Sequence, residues 1–231
     1  MAEPALYDLM SWMSPSWPIG AFAHSGGLEW AVEQGHVTDR ASTEQWIAAM
    51  LAHGSIRNDI VLFVHAFRAA CNGDAMRLHS VAELAAASQT GFERRLEATA
   101  QGAAFRKIAL ASCEPSRFDA LLAAIDDEDL AYPIASATLF ASETINLHAG
   151  LTAWLHGAAA NLVSAAQRLV PLGQTDGQKV LRALREPILA AVETAVALPD
   201  GDPFEALGGC TMVADLGCMA HETQYTRLFR T

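Results

Sequence analysis

Residues 161–181 read NLVSAAQRLVPLGQTDGQKVL, and the choice between two architectures turns on them. Two glycines, a threonine and a nearby lysine invite comparison with a phosphate-binding loop, which would require a strand before it and an α/β domain around it. Such a loop needs Gly, four residues, Gly-Lys and then Ser or Thr, so that backbone N–H groups turn toward the phosphates while the hydroxyl meets magnesium. Here three residues separate Gly173 from Gly177, Gln178 precedes Lys179, and Val180 replaces the hydroxyl. The apolar residues before Pro171 recur at helical spacing. The stretch reads as helix, break, helix: Pro171 ends one helix and Thr175-x-x-Gln178 forms a capping box for the next. Pro171, Gln174, Thr175, Asp176, Gly177 and Gln178 make up this structural junction.

The same period runs through the rest of the chain. Leu147, Leu151, Trp154, Leu155, Leu162 and Leu169 lie on one stripe of a long helix before the junction. After it, GQKVLRALREPILAAVETAVA continues as a helix that Pro187 kinks or splits. Nearer the start, a helix is expected over about Ala5–Met13, then a loop with two prolines, then LEWAVE stopped by Gly35. Ser42-x-x-Gln45 and Thr90-x-x-Glu93 read as capping boxes opening further helices. Ile56–Ala70, EPSRFDALLAAI and YPIASATLFASETI supply others. Strand signals are scarce, so the expectation is a single all-α globular domain, residues 1–231, of about ten helices.

Composition agrees. Hydrophobic residues make up 52% of the 231, enough for one well-buried core. A formal net charge of −11 argues against nucleic acid or an anionic membrane as partner. Four cysteines with no Cys-x-x-Cys pair suit reduced thiols in the cytoplasm. The opening MAEPALYDLM lacks a basic region and does not read as a secretory signal. Between Glu143 and Arg168 no residue is charged, yet Asn146, His148, His156 and Asn161 fall inside, so a buried helix is expected there rather than a membrane span.

Chemistry-bearing constellations are weak. IDDEDL (125–130) is similar to an Asp-Asp-x-x-Asp magnesium box, but Leu130 occupies the position of the last Asp, and a solvated acidic loop is the reading. No nucleophile with its base can be nominated, so no catalytic residue and no cofactor is expected. Cys210, Cys218 and His221 are the only trio with ligand types at short spacing, and remain weak metal candidates. Two segments differ in kind. WPIGAFAHSGGLEW (17–30) offers large aromatics from a glycine- and proline-shaped loop, and HETQYTRLFRT (221–231) mixes Tyr225, Leu228 and Phe229 with arginines, the residue types that anchor interfaces.

Taken together, SPSWPIGAFAHSGGLE (14–29), the 161–181 stretch and GGCTMVADLGCMAHETQYTRLFR (208–230) resemble the UreF family of urease accessory proteins. The resemblance implies a non-enzymatic, all-α, homodimer-forming chaperone. It would bind the accessory protein UreD (UreH in some species) and recruit the GTPase UreG to apo-urease for nickel insertion. It places Pro18, Gly20, Phe22, His24, Ser25 and Gly27 in a partner-facing loop. Glu222, Tyr225, Arg227, Leu228 and Phe229 match a partner-binding tail at about 222–231, expected to be solvated until bound, so that deletion from Gln224 would barely change stability. An all-α metal-dependent enzyme and a direct nickel carrier are the alternatives.

Overall fold

The computed structural model describes residues 3–113 and 115–231, and these contain helices and no strand. In chain order they are α1 (Glu3–Trp12), a 3-10 turn (Ala21–Ala23), α2 (Leu28–Glu33), α3 (Arg40–His53), α4 (Ser55–Asn72), α5 (Ala75–Ala87) and α6 (Phe92–Cys113). There follow α7 (Ser116–Leu122), α8 (Tyr132–Ser142), α9 (Leu147–Leu169), α10 (Gln174–Ala183), α11 (Arg185–Val196), α12 (Pro203–Ala206) and α13 (Met212–His221). The all-α expectation holds.

α8 is the axis of the packing. Every residue from Pro133 to Ala141 is buried, and a helix apolar on all sides must be enclosed by others. α4 and α6 pack most heavily against it. α6 comes close because Gly102 has no side chain where a Cβ would strike the Leu130 carbonyl just before α8. α9 completes the core, with Trp154 5.8 Å from both the Phe63 and Tyr132 rings. A smaller cluster lies apart, made of Leu28, Ala31, Val37, Ala165, Ala166, Val170 and Phe229.

The 171–178 junction sits between α9 and α10 as expected, but its parts act differently. Gly173 is the N-cap of α10, with no side-chain cap, and Thr175 lies inside the first turn. Gly177 is buried where a Cβ would meet the Gln167 amide, so it serves close passage of α10 over α9. Lys179 pairs with Asp176. Similarly, Asp39 rather than Ser42 caps α3, with Ser42 as the reciprocal third residue of the box. Pro187 lies in the first turn of α11, three residues after the break at Leu184 that separates α10 from α11. α5, which Asp74 caps, is not among the helices expected from the sequence. The helix expected from Glu114 opens at Ser116, Glu114 lying outside the described residues. The 125–130 acidic stretch forms turns whose Asp127 and Asp129 pair with Arg106 and Arg95. No single helix among the described residues is long and apolar enough to cross a membrane.

α9 starts at Asn146, whose side chain accepts the Ala149 N–H at 3.2 Å. Asn146→Ala should therefore cost about 1 kcal/mol in urea unfolding, while Thr175→Ala costs no cap. Equal losses in the two variants would contradict these assignments.

Candidate partner-binding site

Short side-chain clamps position the elements of the site. Asn58, at the start of α4, both donates to and accepts from the Gly209 backbone at 2.9 Å, and Arg57 donates to the Ala206 carbonyl at 3.1 Å. These contacts deliver the chain to α13. α13 then lies against α2 through small residues: a Cβ on Gly217 would stand 2.6 Å from the Trp30 ring, and one on Gly27 2.8 Å from the Cys218 sulfur. Gly27 also has φ +82°, a left-handed conformation that a side chain would strain.

With its inner face so engaged, α13 turns Met212, Val213, Leu216 and Met219 outward, all exposed. Phe92, also exposed, follows Gly91, which packs against Met219. Past α13 the side chains of Tyr225 and Leu228 are exposed as well. The sequence reading missed the α13 stripe, although the spacing of Met212, Leu216 and Met219 carries it.

The 222–231 segment is not a solvated extension. Phe229 is only 3% exposed and fills the small cluster between α2 and α9, under the Arg168 guanidinium at 4.1 Å. The backbone N–H groups of Leu228 and Phe229 donate to the Glu29 carboxylate at 2.6 and 2.9 Å. Arg227 pairs with Glu93 at 2.8 Å. Between these acids sits His221, wholly buried, with Nδ1 on Glu93 at 2.7 Å and Nε2 on Glu29 at 3.0 Å. Each ring nitrogen thus faces a carboxylate oxygen, and the ring ties α13 to both α2 and α6. Glu222 has a further role: it accepts the Phe92 N–H at 2.9 Å and caps α6, where Thr90 was expected to do so. Removing residues from Gln224 onward should consequently cost stability, contrary to the sequence expectation.

The two segments singled out from sequence meet. Ser25 N–H donates to the Thr231 carbonyl at 2.7 Å, Arg230 N–H donates to the Ala23 carbonyl at 2.8 Å, and His24 Nδ1 lies 2.6 Å from the Thr231 hydroxyl. Arg168 joins them, donating to the Phe22 carbonyl at 2.6 Å while covering Phe229. His24, Ser25 and Gly27 are therefore buried supports, and burial lowers the His24 pKa. Phe22 is 71% exposed, and Pro18 and Gly20 shape the loop before it.

The suggested metal trio is not assembled. Both nitrogens of His221 are occupied by carboxylates, Cys218 is buried with its thiol pushed up to about 12 by desolvation, and Cys210 is exposed. Among the described residues no group of three His, Cys, Asp or Glu side chains could hold an ion.

Comparison with known proteins matches the amino-acid sequence to a family. The UreF family model matches residues 37–185. A protein of Rhodopseudomonas palustris strain BisA53 named "Urease accessory protein UreF" is 48% identical over 230 residues, covering 98% of this chain and 93% of its own. One of the same name from Bradyrhizobium sp. strain BTAi1 is 46% identical over 229 residues, covering 99% and 93%. The family model leaves out both contacting segments, but these relatives extend across them. The chain belongs to the UreF family of urease accessory proteins and takes part in urease maturation.

Proposed function

We propose that the chain is a non-enzymatic, cytoplasmic scaffold of urease maturation, a single domain working as a homodimer. It binds UreD (UreH) and with it recruits UreG to apo-urease for nickel insertion. The carrying observation is the outward apolar stripe of α13, together with the exposed Phe92, Tyr225 and Leu228. A surface of this kind, set on a helix whose inner face is fixed by Gly217 and Cys218, suits a protein partner. The Phe22 loop, tied to the 229–231 segment, extends it. Tyr225 and Leu228 stay available on the docked segment, whereas Phe229 and Arg227 act by holding it in place. A scaffold needs no catalytic group: holding two partners together raises their effective concentration, and binding one state of UreG better shifts it.

The test is Leu216→Asp with Met212→Asp. Both positions face water, so melting temperature and circular dichroism should not change. Burying one leucine contributes roughly 1.5–3 kcal/mol, so capture of UreD should weaken by roughly tenfold or more, and urease activation in cells should fall with it. Undiminished capture would move the interface elsewhere.

A further inference from the structure

Beneath the 14–22 loop lies a cavity of about 510 Å3, whose lining includes Pro18, Gly20 and Phe22 of the partner-facing loop. Trp12, Trp17, Trp154 and Leu162 supply much of its wall. At one part of the lining stand three charged side chains from α4 and α6, namely Asp59, Arg94 and Glu97. Charged groups are rarely enclosed in this way unless each has a partner.

The partners here do not balance. Glu97 takes Arg94 Nη1 at 2.8 Å. Asp59, though only 8% exposed, is left with Arg94 Nη2 at 3.7 Å, beyond hydrogen-bonding distance, and a loose approach by the Gln89 amide. One guanidinium thus stands between two carboxylates on the cavity wall. Burial pushes the Asp59 carboxyl up to about 6, as expected of a carboxylate without an adequate counter-charge. Arg94 remains charged between the two acids. Asp59 therefore lacks a close positive donor, and the indole walls favour a ligand of the same sign, since a cation is attracted to an aromatic face.

We propose that this cavity binds an organic cation, a protonated amine or guanidinium on an apolar stem, with the charged head at Asp59 and the stem among the tryptophans. A free molecule and a Lys or Arg side chain of a bound protein share this chemistry. The inference stands independently of the partner assignment above.

The probes are hexylammonium, hexanol and hexanoate, titrated calorimetrically into the full chain and into Asp59→Asn. Hexylammonium should bind saturably and roughly tenfold or more tighter than hexanol, with hexanoate weakest. Asp59→Asn should lose most of that advantage while its hexanol affinity stays the same. Indole N–H resonances of Trp17 and Trp154 should shift on binding. Equal affinity for hexanol and hexylammonium, an unchanged ammonium affinity in Asp59→Asn, or unmoved indole resonances would each overturn the proposal. Excess hexylammonium added to the UreD capture experiment then assigns the source. Lost capture indicates a partner's side chain, and unaffected capture indicates a free molecule. If UreD does not bind even without the probe, the scaffold reading fails while the titration still decides this one.

Discussion

Glu29→Ala is expected to release residues 222–231 from the body of the protein. One carboxylate there accepts from His221 and from the Leu228 and Phe229 backbones. Alanine leaves three donors without an acceptor and Glu93 facing His221 and Arg227 alone. Breaking a buried pair from one side costs about 3–5 kcal/mol. The segment has an escape, however: it can swing into water and recover its hydration, so the loss cannot exceed the free energy of docking. Amide exchange at Leu228 and Phe229 should accelerate strongly, and trypsin should cut after Arg227 well before the core unfolds. Glu29→Gln should fall between, since its amide keeps an acceptor but turns an N–H toward a neighbouring donor. Native-like protection at Leu228 in the alanine variant would show that Phe229 packing alone holds the segment.

Asp59→Asn is expected to stabilise the chain at neutral pH. The Asp59 carboxyl titrates at about 6 in the folded protein against 3.8 as its ordinary value, because burial disfavours the charged form more than Arg94 favours it. A raised carboxyl contributes fully to stability below pH 3.8, and that contribution is lost as pH rises through 6. The difference corresponds to roughly 3 kcal/mol between those limits. Asparagine has nothing to ionise, so the variant should match the wild type near pH 4 and exceed it from pH 6 upward. Arg94 keeps Glu97 in either case. Urea unfolding at pH 4, 5, 6 and 7 measures this directly. A variant less stable at pH 7 would mean that the attraction to Arg94 outweighs desolvation.

What could be read from the sequence was whatever neighbouring residues decide. The α9 stripe, the break at Pro171 and the division near Pro187 all rest on local periodicity or on proline geometry, and all appear in the fold. α5 obeys the same rule, with Leu78, Val81, Ala82 and Ala85 on its buried face, but alanine gives a faint hydrophobic signal. Capping was less legible. Two of the expected boxes gave way to Asp39 and to a bare Gly173, and α6 takes its cap from Glu222, which lies 130 positions away in the chain. The site was half legible for the same reason. The loop and the 222–231 segment stood out by residue type, but spacing cannot reveal that they touch, or that His221 and Glu29 meet across 192 positions.

That separation bears on how the molecule is made. Glu29 belongs to a helix synthesised early, and the three groups that satisfy it are all among residues 221–229. While the ribosome works through the intervening codons, α2 and the start of α6 each carry an acid whose counter-charge does not yet exist. Their enclosure must wait, because covering them sooner would bury unpaired charge. The nascent chain therefore has reason to hold this end of the helical body open until residues 221–229 have been made. The cluster acts as a fastener that cannot close before those residues are present.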